Sequence, residues 1–106
     1  MSKKLVLLGM ALLVFGCMAW AGDGKTFTGV VSDSHCGAKH SKASDAAAGC
    51  VAKCVDGGAE YVLVSGGKVY KVDNQEEFEE YAGKSVKVTG VADGDSIRVE
   101  SVEPAS

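Results

Sequence analysis

Apolar and polar positions divide the chain into one continuous apolar run and several short alternating ones. LVLLGMALLVFGCMAW, residues 5–20, contains no charged residue. Beyond it, KTFTGVVS (25–32) is rich in Thr, Val and Phe, and places Phe27 and Val31 on one face at period two, as a strand would. Gly29 between them marks a bulge or a sharp bend. EYVLVS and KVYKV are separated by Gly66-Gly67, a two-residue hairpin signal because Gly reaches the positive φ such turns need. KSVKVTGV alternates with Val86 and Val88 on one face. The turn Ala92-Asp93-Gly94-Asp95 then leads into SIRVESV, with Ile97 and Val99 facing inward.

Two stretches break this alternation. DSHCGAKHSKASDAAAGCVAKCVDGG follows the first strand and is Ala-rich in its middle. Ser41 or Ser44 can cap a helix running through about Val55, and Asp56-Gly57-Gly58 ends it. Between the third and fourth strands, Asn74 is placed to cap a short helix with Glu77 at N3, a capping-box-like pattern. Phe78 and Tyr81 share a face of that helix and Gly83 stops it.

The order is strand, helical insertion, strand, strand, helix, strand, strand. This mainly β arrangement resembles the OB-fold, a five-stranded barrel. TFTGVV looks like its Gly-bearing first strand. AGKSVKVTGVADGDSIRVESV looks like the closing strand pair of many bacterial OB-like domains. The resemblance runs from about Lys25 to Pro104. It implies a barrel with a Cys-bearing helical insertion after strand 1 and a short helix between strands 3 and 4. It implies no activity, since OB-folds serve many binding roles. DSHCGAKH together with CVAKC, the pattern DSHCG-x2-H … C-x3-C, is also similar to small exported bacterial proteins of uncharacterised function.

The first apolar run changes the picture of location. Lys3 and Lys4 precede it, and Ala19-Trp20-Ala21 puts small residues at the two positions a signal peptidase reads. The run is short for a bilayer span, which needs about 20 apolar residues. Residues 1–21 therefore read as a signal peptide and 22–106 as a single OB-like domain, periplasmic or secreted. Val14-Phe15-Gly16-Cys17 offers an alternative, a lipoprotein box, although Phe15 stands where a small residue is preferred. Only lipidation of Cys17 would make this a membrane-anchored protein. Cleavage after Ala21 leaves nine basic against fourteen acidic residues, a net charge of −5. That disfavours nucleic acid, whose phosphates call for clustered Lys and Arg.

Three cysteines remain after such cleavage, in the pattern Cys36-x3-His40-x9-Cys50-x3-Cys54. On a helix, Cys50 and Cys54 share a face with Cβ atoms about 5–6 Å apart. That is too far for a disulfide, which wants about 3.8 Å, but suits two thiolates on one ion, each at about 2.3 Å. Cys36 and His40 can complete a tetrahedral set matching zinc, and soft thiolates equally accept copper(I). Tight C-x2-C knuckles are absent. An oxidising compartment instead permits a disulfide from Cys36 to Cys50 or Cys54, pinning the helix to the first strand and leaving His40 on the surface. A domain this small often needs a staple of either kind. His35 reads as an exposed loop residue, and Asp33 and Ser34 as turn or cap residues.

Other chemistries lack their motifs. There is no C-x-x-C-H for haem attachment, no C-x-x-C for a thioredoxin-like reaction and no Gly-rich phosphate loop opening a helix. Asp93-Gly94-Asp95 lacks the remaining ligands of a calcium loop. Glu76, Glu77, Glu79 and Glu80 fit a solvated helix face. A triad needs separate elements converging on a pocket, for which a small barrel has little room. The sequence thus predicts a non-catalytic binding or interaction module with a transition-metal site at Cys36, His40, Cys50 and Cys54, its partner a protein or small ligand. The alternatives are a disulfide-stapled OB-like domain binding protein or glycan, and a thiol redox partner.

Overall fold

The computed structural model describes residues 24–105. The expected signal segment 1–21, its cleavage site and Cys17 lie outside the described residues. Five strands occur in the expected order: β1 (Lys25–Asp33), β2 (Tyr61–Ser65), β3 (Lys68–Val72), β4 (Ser85–Asp93) and β5 (Ser96–Pro104). They form one sheet that closes on itself in a ring, β1-β2-β3-β5-β4, with β4 returning to β1. All neighbouring pairs are antiparallel except β3 and β5, which run parallel over a short contact. Gly66 and Gly67, with φ 59° and 79°, make the β2–β3 turn as expected.

β1 serves two neighbours. Lys25 to Val30 pair with β4, and Val30 to Asp33 pair with β2. At the change of partner, a Cβ on Gly29 would collide with the Val64 carbonyl of β2, so this bend admits no side chain. The expected alternation of β1 holds only in its first half. Val30, Val31, Ser32 and Asp33 are all buried, because the insertion covers the face that an open strand would show to water.

The insertion comprises a 3-10 turn (Gly37–His40) and a helix, α1 (Asp45–Asp56). Of the two possible caps, Ser44 is used: its Oγ accepts the Ala47 N–H at 3.0 Å. At the other end Ala59 N–H reaches the Cys54 carbonyl and Gly58 N–H the Val55 carbonyl, each at 3.0 Å, a Schellman closure. Ala47 and Val51 are buried and Val55 packs beside them, giving α1 one apolar stripe against the ring.

The core lies inside the ring. Val86, Val88, Ile97 and Val99 are buried together, as their alternation predicts, with Val31, Leu63, Val72 and Phe78. Phe78 is fully buried and Tyr81 packs beside it. The element carrying them is a 3-10 helix, Gln75–Tyr81, between β3 and β4.

The expected capping box there is not formed. Asn74 adopts the left-handed region at φ 36° and its side chain makes no cap bond. Its amide instead donates to the Val99 carbonyl of β5 at 3.4 Å. The neighbouring side chains are spent on strand backbone groups in the same way. Asp73 Oδ1 accepts the Val99 N–H at 2.8 Å, and the Gln75 amide bonds both the N–H and the carbonyl of Tyr61, at 2.7 and 3.0 Å. Glu76, Glu77, Glu79 and Glu80 are exposed.

Candidate functional site

The site forms where β1 leaves the sheet. Asp33 is the last residue of β1, two positions beyond Val31 and so on the same, core-facing side. Its Oδ1 accepts the backbone N–H groups of His35 at 2.9 Å and Cys36 at 2.8 Å. This is the turn role expected of it, and it fixes the direction in which Cys36 departs. Fully buried Ser32 donates its hydroxyl to the Gly37 carbonyl at 2.8 Å, tying the 3-10 turn to the strand. Ser34 is bonded to the backbone of Glu60 in both directions, at 2.8 and 3.0 Å.

α1 is tied to β1 through Gly83. Its carbonyl accepts the Ser44 N–H at 3.3 Å and its N–H donates to the Val31 carbonyl at 2.9 Å. With the apolar stripe of α1 seated on the ring, the neighbouring stripe carries Cys50 and Cys54 toward Cys36.

Two overlapping groups of metal-ligating atoms result. The sulfurs of Cys36 and Cys50 and one imidazole nitrogen of His40 lie within 4.8 Å of one another. The sulfurs of Cys36 and Cys54 and one carboxylate oxygen of Asp33 do so as well. Cys36 belongs to both. Cys36 and Cys54 are half-buried, Cys50 is exposed, and all three are free thiols. The disulfide from Cys36 to Cys50 or Cys54, open on the sequence, is therefore not formed here. His40 does not point freely into water, as that alternative required. Its Nε2 is buried and has no hydrogen-bond partner among the described residues, and the same is true of Asp33 Oδ2. His35 is exposed and belongs to neither group. Cys54 also lines a surface cleft with Ser34, His35, Gly57 and Ala59, which gives the cluster an opening to solvent.

The electrostatics favour protonated thiols until a cation arrives. Desolvation, followed by the negative charge of Asp33, pushes the Cys54 thiol up to about 11 and raises Cys36 above its ordinary value. A thiolate is the metal-ligating form, so a bound cation would displace protons here.

Asp33 is the member of the cluster that sequence reasoning placed only in a turn. The signal was available: positions 27, 29, 31 and 33 share one face of β1, so an acidic residue at 33 ends a core-facing row.

Residues 54–105 match the model of a family described as "Protein of unknown function (DUF5818)". The match begins at Cys54 and covers β2 to β5. DSHCGAKH and Cys50 precede it. No curated protein and no solved structure matches the chain.

Proposed function

We propose that this chain is an exported, non-catalytic metal-binding module on an OB-like barrel, periplasmic or secreted. Cys36, His40, Cys50 and Cys54 hold a transition-metal ion, zinc(II) or copper(I). The barrel reading is supported by the closed strand order β1-β2-β3-β5-β4 and by a helical element between β3 and β4. The metal reading is carried by the buried, unpartnered Nε2 of His40 in a residue grouped with two thiols. A buried polar nitrogen without a partner is costly, and a cation is the partner that thiolates and an imidazole share.

The full chain should be expressed and the processed protein purified. Native mass spectrometry should then show bound zinc or copper, and denatured mass with alkylation should count three free thiols after metal removal. In competition with a chromophoric chelator, His40→Ala should weaken binding at least about tenfold, while exposed Lys39→Ala should change little. Absence of metal binding in the purified chain, or an unaltered affinity in His40→Ala, would refute the proposal. A cytoplasmic product retaining residues 1–21 would refute export.

A further inference from the structure

The Asx turn accounts for only half of Asp33. Oδ1 receives the N–H groups of His35 and Cys36, and an Asn side chain would make the same two bonds. Oδ2 is left buried in a residue with no solvent exposure, and it has no hydrogen-bond partner among the described residues. A carboxylate in that setting calls for a cation. Among the described residues no Lys or Arg hydrogen-bonds that oxygen, and one oxygen of the carboxylate lies within 4.8 Å of the sulfurs of Cys36 and Cys54.

The cluster offers five donors in two triads joined at one atom. A single tetrahedral ion would use four and leave one stranded. A thiolate sulfur has lone pairs enough to bond two metal ions, so one shared sulfur can serve both triads. The charge count agrees. Three thiolates and one carboxylate carry four negative charges, which two divalent cations balance and one does not. The donor types agree too, since an oxygen and a nitrogen among thiolates suit zinc-type divalent ions better than copper(I).

We infer that Asp33, Cys36 and Cys54 form a second cation subsite beside that of Cys36, His40 and Cys50, with the Cys36 sulfur bridging two divalent zinc-type ions. This rests on the reading of the cluster as a metal site and extends it from one ion to two. Each ion has three protein donors and an open position for water.

Stoichiometry tests it. The purified full-chain product, stripped of metal and titrated with zinc(II), should bind two ions per chain by native mass spectrometry. Asp33→Asn keeps the turn but removes the anionic donor, and should bind one. Cys54→Ser, which leaves the turn untouched, should also bind one, as should His40→Ala. Cobalt(II) gives an independent readout. Two thiolate-bridged cobalt ions should couple magnetically and depress the paramagnetic resonance signal per ion, and Asp33→Asn should restore the uncoupled signal. One ion in the unmodified chain overturns the second subsite and leaves the single metal site standing. Two ions retained in both Asp33→Asn and Cys54→Ser also overturn it. No ion in the unmodified chain overturns both readings.

Discussion

The two oxygens of Asp33 meet different demands. Oδ1 closes the turn at the end of β1, and Oδ2 lies buried without a hydrogen-bond partner among the described residues. Asp33→Ala removes two backbone bonds to a charged acceptor at once, each worth about 1.5–3 kcal/mol. Allowing for partial rescue by water, it should destabilise the metal-free domain by about 2–4 kcal/mol in denaturant titration, whereas Asp33→Asn should cost clearly less. The thiols carry a pH signature of their own. The folded state holds the Cys54 proton up to about 11 and raises Cys36 as well, both chiefly through desolvation. A pKa raised by folding means that the native state binds protons more tightly than the unfolded chain. Its stabilising contribution is complete below the ordinary thiol value of 9.0 and is lost as pH rises toward about 11. Denaturation midpoints of the metal-free domain should therefore fall between pH 9 and 11, and Cys54→Ser should flatten that fall.

At the scale of elements, α1 is the part whose placement decides the site. Its ends are locally encoded by Ser44 and by the Gly57-Gly58 closure, but its docking depends on Gly83. Gly83 has φ 71°, and a Cβ there would run into the backbone of Ala47 and Ala48. Gly83→Ala should cost about 1–2 kcal/mol from the left-handed conformation alone, with the steric push on α1 added to it. Because α1 carries Cys50 and Cys54, the same substitution should weaken zinc binding, although residue 83 is not itself a donor. Equal zinc affinities by chelator competition would show that α1 docks independently of this contact.

For the whole molecule, the ring and the cluster are separate sources of stability. The core is complete without a cation, with Val31, Leu63, Phe78, Val86 and Val88 fully buried. Val88→Ala should cost on the order of 1–2 kcal/mol by removing buried methyl groups. It should leave zinc affinity unchanged, since β4 supplies no donor. Zinc in turn should stabilise by mass action, by about 2.7 kcal/mol at one hundred times its dissociation constant. In a domain of this size that raises the melting temperature on the order of 10–20 °C. A chelator should reverse the shift without unfolding the ring. Unfolding on chelation would mean that the cluster holds the fold together.

The sequence alone determined the strands, their hairpins and most of the core, because those depend on period-two alternation and on turn residues acting over a few positions. Val86, Val88, Ile97 and Val99 were legible for that reason, as was Gly66-Gly67, while the helix cap was narrowed to Ser41 or Ser44. It also brought Cys36, His40, Cys50 and Cys54 forward as one group by spacing. Only the tertiary structure decided what no local pattern contains. Asn74 looked like a helix cap, but its amide bonds a carbonyl 25 residues away on β5, since a distant unpaired strand group competes for it. Asp33 was legible as a turn residue at the end of a core-facing row, but its meeting with Cys54 arises only because the insertion folds back over the end of β1. The choice between disulfide and open cluster was likewise tertiary. It depends on how α1 is seated against Gly83 and the ring, which sets the distances from Cys36 to the thiols of Cys50 and Cys54.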